Sequence, residues 1–394
     1  MRILMVYNDY QQPGGEKVAF HNECNLLREK GHEVVVYSRS NDEVEGMNPL
    51  KMFSQMIWNR QAYTEIRELI RQNNIEIMHV HNVHLVISPS IFHAASAEGI
   101  PSIFTLHNFR LLCPAANLFR NGQLCEDCIG KVVAINGIMH KCYRDKRSTT
   151  VGVAAMQTIH RSIGTWHKKV TRFIALTEFT RSKYVAGNLP EHKIVIKPNF
   201  LDNPQDYAWD PDREAPYALC VGRLCQGKGV HVLLEAWQRN HPGIGLKIVG
   251  SGETEDELHK QGEGLEGVEF MSQLDHSEVF NLLRRATLFL MPSIYYECNP
   301  FALIESQAIG TPAVVSAHGS LNIMVRDGES GWHATAGDPD AWSTAIRTAV
   351  EDTDRLNAVS RAARAEYERV SDREASYKRT IEIYEEAIAE VNAK

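Results

Sequence analysis

The 394-residue chain has no apolar run approaching the roughly 20 residues that a bilayer span requires. Its opening Arg2-Ile-Leu-Met-Val-Tyr is too short for a signal h-region, and acidic and polar residues follow at once. The expectation is a chain kept in the cytoplasm. Excess positive charge is also missing: the net charge is −7 and the pI about 6.2, which argues against a general nucleic-acid binder. Cysteine is sparse over most of the sequence, and Cys24, Cys220, Cys225 and Cys298 read as ordinary small apolar residues.

What is present is length and alternation. A chain this long exceeds one ordinary core, so two domains of about 170–200 residues are expected. Apolar stretches at Arg2–Tyr7, Glu33–Tyr37, Ile75–Val80, Ser102–Leu106 and Lys193–Ile196 read as strands. Between them lie helical patterns at about Glu16–Lys30, Lys51–Asn73 and after Pro89. Pro198–Pro216, rich in Pro, Asp and Asn, reads as a linker. The alternation then resumes with strands Tyr217–Gly222, Gly245–Val249, Leu288–Met291 and Ala313–Ser316, and with helices Val230–Arg239 and Glu278–Arg285. Helices from Asp340 onward finish the chain. This pattern predicts two α/β, Rossmann-like doubly wound domains facing across a cleft. The first spans 1–200, with helices at about 375–394 packing back on it, and the second spans 215–374.

The stretch Met291 to Glu305 carries the most chemistry. Glu297 falls on a strand-to-helix loop, Asn299-Pro300 reads as an N-cap and first helical residue, and Glu305 lies inside the helix that Gly310 and Pro312 end. Two carboxylates flanking a helix N-terminus suit a ligand carrying both phosphates and hydroxyls, such as a nucleotide sugar. Gly222-Arg-Leu-Cys-Gln-Gly-Lys-Gly spells most of a P-loop but has Gly229 where the Mg²⁺-binding hydroxyl would stand. Arg223 and Lys228 in that loop could instead grip a diphosphate without metal.

Pro13-Gly-Gly-Glu, Gly-His-Glu-Val-Val-Val at 31–36, Gly-Arg-Leu…Lys-Gly at 222–229 and the spaced glutamates occur here in an order that resembles family 4 of the retaining glycosyltransferases, of GT-B architecture. Ile77-Met-His-Val-His-Asn and Thr105-Leu-His-Asn resemble it too, and the likeness runs from residue 1 to the last helices. The resemblance implies that Gly14 and Gly15 bring backbone close to phosphates or acceptor. It implies His107 beside the reacting carbon, Arg223 and Lys228 on the leaving diphosphate, Glu297 towards the sugar hydroxyls and Glu305 on the ribose. Asn299, Pro300 and Phe301 would line the donor pocket, and the base would lie near Gln273–Leu274. The family often has Gly at the position of Pro300 and uses backbone N–H groups there. Pro300 has none, whereas Asn299 and Phe301 can still donate. The implied activity moves a hexosyl or N-acetylhexosaminyl group, with retention, onto a hydroxyl of a glycan or lipid-linked acceptor, in cell-surface polysaccharide or glycoconjugate synthesis. No catalytic cofactor is implied.

Three other features have more than one reading. His79, His81 and His84 read as strand-end residues lining the cleft rather than metal ligands. Cys113, Cys125, Cys128 and Cys142, with Cys-x-x-Cys spacing at 125–128, are compatible with a structural Cys₄ zinc, with unliganded buried thiols, and with a disulfide or iron–sulfur cluster. From Lys131 to Lys183 there are eleven Lys or Arg against two acids, Asp145 and Glu178. That segment is either a solvated face or a surface meeting an anionic partner, such as lipid head groups at the inner membrane face. Two rival functions are a nucleotide-sugar epimerase of the same architecture and a non-catalytic, basic Cys-rich binding module.

Overall fold

The structure, a computed structural model, describes residues 1–10, 14–202 and 206–393. Pro13 of the first-loop motif and residues 203–205 of the expected linker lie outside these. The strands in chain order are β1 (Arg2–Asp9), β2 (Glu33–Ser40), β3 (Ile77–Val80), β4 (Ser102–Leu106), β5 (Phe119–Arg120), β6 (Gln123–Leu124) and β7 (Arg172–Ala175). They continue with β8 (Ile194–Ile196), β9 (Tyr217–Val221), β10 (Gly245–Val249), β11 (Val268–Met271), β12 (Leu288–Met291), β13 (Ala313–Ser316) and β14 (Trp332–Ala334). The chain divides into two compact units. Unit 1 comprises Met1–Leu118, Cys125–Asp202 and Arg373–Lys394, and unit 2 comprises Phe119–Leu124 and Asn203–Asp372. The short antiparallel pair β5–β6 therefore groups with unit 2, which the sequence reading had left inside the first domain.

Unit 1 is built on a parallel sheet of order β2-β1-β3-β4-β7-β8. Every residue of β3 and β4 is buried, as expected for parallel strands covered on both faces. The last helix, Arg373–Asn392, belongs to this unit and places Ile383, Tyr384 and Ala387 in a core cluster with Ile3, Met5 and Phe20. Its Thr380 hydroxyl donates to Glu23 at 2.8 Å, and Lys197 Nζ meets the other oxygen of that carboxylate at 2.7 Å. Burial opposes ionisation of Glu23, but Lys197, His79 and the Thr380 hydroxyl together outweigh it and hold the carboxyl below its ordinary range.

Unit 2 has the parallel order β11-β10-β9-β12-β13-β14. Strand order reverses between β9 and β12, and in unit 1 between β1 and β3. In open α/β sheets ligands bind at the carboxyl ends of the strands flanking such a reversal.

Three sequence expectations change. The helix anticipated at Lys51–Asn73 is two helices, Pro49–Ile57 and Arg60–Gln72. The break is set by Asn59, whose buried side chain accepts from Ala62 N at 3.0 Å and donates to Val86 O at 2.6 Å. Asn299 does not cap the next helix. Its amide is directed at Met324 Sδ (3.3 Å), Pro300 occupies the cap position without a side-chain bond, and the helix runs Phe301–Ile309. Strands β7, β11 and β14 were not anticipated. Among the described residues no helix is long and apolar enough to cross a membrane.

Candidate functional site

In unit 2 the loop after β9 and the loop after β12 meet. Lys228 Nζ donates to Glu297 Oε1 at 2.7 Å, and Ser293 Oγ donates to the same oxygen at 2.7 Å. Glu297 is only 8% exposed. Burial disfavours the Lys228 cation, but the Glu297 carboxylate overrides this and raises its pKa, so the pair is ionic. The Tyr295 ring lies against Gly227, and its centroid is 5.7 Å from Lys228 Nζ. Arg223 is exposed in the same loop, and Gly222, Arg223, Lys228 and Ser293 line one shallow pocket. Among the described residues the site thus offers a paired cation, Lys228, and an exposed one, Arg223, at a strand end.

Gly229 explains why the P-loop reading fails. Its φ is +72°, and a Cβ there would stand 2.0 Å from the carbonyl oxygen of Pro292. No Ser or Thr fits, so no hydroxyl reaches a metal from that position.

The helix Phe301–Ile309 begins just beyond Glu297, and its first N–H groups have no partners within the helix. Glu305 lies in this helix, partly exposed, with His276 Nε2 3.3 Å from its Oε1. That contact raises the His276 pKa. Leu274 is half-buried beside Asp275, which caps the helix His276–Arg285.

The corresponding end of the sheet in unit 1 is different in kind. His107 follows β4 and is half-buried, with its Nε2 2.9 Å from His81 Nδ1. Burial holds His107 neutral, with its pKa down to about 3. His79 is fully buried between Tyr384 Oη (2.6 Å) and Thr105 Oγ1 (2.8 Å), and burial lowers its pKa to about 4. All three of His79, His81 and His84 are buried; the expected lining position is corrected for His79, which ties the last helix to the sheet, whereas His81 and His84 border a small cavity. Among the described residues no group of three or more His, Cys, Asp or Glu is arranged to hold a metal ion.

Gly14 caps the helix Gly15–Glu29 in an extended conformation, and a Cβ on it would meet nothing. Nothing among the described residues requires glycine there. In the first turn, Glu16 accepts from Asn108 Nδ2 at 3.1 Å, while its other oxygen is buried with no hydrogen-bond partner among the described residues. Burial raises the Glu16 pKa to about 8, against the opposing pull of Asn108 and Arg110. A small cavity of about 30 Å³ lies alongside, lined by His81, Asn82, His84, His107, Asn108 and Arg110, among others.

Comparison with known proteins follows the same division. The family profile "Glycosyltransferase Family 4" matches residues 13–203, and "Glycosyl transferases group 1" matches 205–366. A glycogen synthase from Mycobacterium tuberculosis is 34% identical over 92% of this chain and 89% of its own. The chain belongs to glycosyltransferase family 4. A phosphatidyl-myo-inositol mannosyltransferase from Mycolicibacterium smegmatis is 25% identical over 92% of this chain and 88% of that one. Among solved structures, a glycosyltransferase from Rickettsia africae matches at 16% identity with TM-score 0.72, over 98% of both chains. The Anabaena HepE structure in complex with UDP matches at 16% identity with TM-score 0.68, over 97% of this chain and 99% of that one. The fold is GT-B.

Sequence reasoning about this glycosyltransferase missed Ser293, Tyr295, His276 and Glu16. Ser293 and Tyr295 stood inside the Met291–Glu305 stretch, and Glu16 inside the first-loop motif, so a signal existed. The four clustered cysteines had three readings, and buried thiols are one of them. Cys113 and Cys128 are buried and Cys125 and Cys142 partly so, and no disulfide joins them. Cys128 packs with Ala134, Ala154 and Ile138, and burial raises its thiol pKa. The apolar packing, not a gathered ligand set, accounts for its position.

Proposed function

We propose that this glycosyltransferase takes a sugar from a nucleoside diphosphate donor and transfers it, with retention of configuration, to a hydroxyl of a glycan or lipid-linked acceptor. The observation that carries the reading is the Lys228–Glu297–Ser293 constellation at the strand reversal of unit 2, with Arg223 exposed beside it. Arg223 supplies the exposed cation for the diphosphate. Lys228, held by Glu297, adds positive field that is present before the ligand arrives, which is the preorganisation that stabilises a departing diphosphate. The N–H groups at the start of Phe301–Ile309, which have no partner within the helix, favour phosphate oxygens in the same region. Pro300 offers no donor, so the contact falls to the N–H groups from Phe301 onward.

Glu305 is free to accept from the ribose once His276 yields, and the loop at Leu274 would bear on the base. Anabaena HepE, of the same fold, is solved in complex with UDP and with UDP-glucose, which supports a nucleotide-sugar donor and makes uridine the first base to try. On the unit 1 side, neutral His107 acts as a hydrogen-bonding group to sugar hydroxyls rather than as a cation. Gly14 and Gly15 leave backbone open to a ligand, and Glu16, protonated below about pH 8, can donate to an acceptor oxygen. A cytoplasmic enzyme with a peripheral membrane contact fits a lipid-linked acceptor.

The test is slow hydrolysis of a UDP-sugar by the purified protein, followed by NMR of the first anomer released. Retention predicts the donor's own configuration. Release of the opposite anomer overturns the retaining assignment.

A further inference from the structure

Among the described residues, seven of the exposed large apolar side chains fall within residues 132–163 of unit 1. Val132 is 65% exposed, and Ile135 and Met139 are each 58% exposed. They do not sit on a loose excursion. The short helix Ile135–Met139 is seated on the long helix Arg147–Ser162 by Ala134 and Ile138, which pack with Ala154. Thr158 Oγ1 donates to Val132 O at 3.2 Å, and the Arg161 guanidinium donates to the carbonyl of Lys131. Ile135 and Met139 are four apart in the short helix and share its outward side, opposite the buried contact. Ile159 and Ile163 are also exposed at the end of the long helix.

Cations border this apolar surface. Lys131, Lys141, Arg144, Lys146 and Arg147 are all exposed, with Asp145 the single acid among them. The chain as a whole is acidic, so the charge is local. Large exposed apolar side chains with a polar rim mark a surface that meets something. Apolar residues beside exposed Lys and Arg suit one partner above others: the apolar groups enter the boundary between head groups and acyl chains, and the cations lie on lipid phosphates. A second copy fits poorly, because an isologous contact would bring the same cations together.

We propose that the Lys131–Arg147 face of unit 1 docks the protein on an anionic bilayer surface, with Val132, Ile135 and Met139 inserted. Docking needs neither donor nor acceptor, so it stands or falls separately from the transfer reaction.

The experiment is co-sedimentation of the full chain with vesicles of phosphatidylcholine alone and of phosphatidylcholine mixed with phosphatidylglycerol, at several salt concentrations. Binding to the anionic vesicles, weakened by salt, is expected. Each cation near an anionic leaflet is worth roughly fivefold in partitioning. Lys141→Glu/Lys146→Glu/Arg147→Glu should therefore lose on the order of 10²-fold. Val132→Ser/Ile135→Ser/Met139→Ser should lose binding at every salt concentration. All six substituted side chains are exposed, and an unchanged melting temperature checks that the fold survives. The proposal is overturned if the wild type stays in the supernatant with both vesicles, or if either triple variant binds as the wild type does. A dimer converted to monomer by the serine variant would also overturn it, because the face would then belong to a second copy.

Discussion

The two sheets share a parallel six-stranded design, yet their carboxyl ends are furnished oppositely. In unit 2 the strand reversal carries full charges: Arg223 exposed, Lys228 and Glu297 paired at 2.7 Å. In unit 1 the same location carries groups that burial keeps neutral, with His107 titrating only near pH 3 and Glu16 only near pH 8. The lesson is chemical. A charged end stabilises a diphosphate, whereas neutral donors and acceptors suit hydroxyls and tolerate being desolvated.

The comparison breaks most visibly at Arg223. Replacing it with Ala should lower the turnover of a nucleotide sugar by about 10²–10³, the usual effect of losing one preorganised donor. Its exposed position leaves the melting temperature unchanged. Near-normal turnover would remove the charge asymmetry from the mechanism.

The next effect is on stability and belongs to unit 1. Tyr384→Phe strips the hydroxyl from His79 Nδ1, leaving a buried polar nitrogen without a partner at a cost of about 1–3 kcal/mol. Urea unfolding measures it, and donor affinity should not move. A wild-type urea midpoint would mean that the last helix does not depend on this bond.

The smallest effect is a pH dependence. The Glu16 pKa is raised from about 4.5 to about 8, so the native state holds a proton that the unfolded state has lost across that window. The Glu16 contribution is full below about pH 4.5 and fades as pH rises through about 8. Glu16→Gln should abolish that decline, seen as a flatter stability curve between about pH 4.5 and 8. An unchanged curve would mean that Glu16 is ionised in the native protein and that the neutral character of unit 1 is overstated.

Much of this was legible from the chain. Strands β1, β3, β4, β9, β12 and β13 are dense apolar runs, and their spacing with helices was enough for two doubly wound domains. Strand β14 has only three residues, β11 is half-buried with an exposed Glu269, and β7 sits inside a segment dominated by its charge, so periodicity carried little signal. Asn299-Pro300 misled because the local capping signal was overridden by a tertiary contact with Met324. At the site, Arg223, Lys228 and Glu297 were each recognisable by motif. Their arrangement was not, because Lys228 and Glu297 stand 69 residues apart and only the fold brings them into an ion pair. The neutrality of the unit 1 end was equally hidden, since His107 and Glu16 are ordinary titratable residues until burial shifts them.

The central claim is that the charged end of unit 2 holds the donor's diphosphate. Thermal unfolding of the wild type and of Arg223→Ala, each with UDP, GDP, ADP and their sugars, tests it most directly. A ligand at about 100 times its Kd should stabilise the wild type by roughly 2.7 kcal/mol. The account predicts a clear upward shift with at least one nucleotide, and loss of most of it in Arg223→Ala. No shift of the wild type with any of them, or an equal shift in the variant, would contradict it.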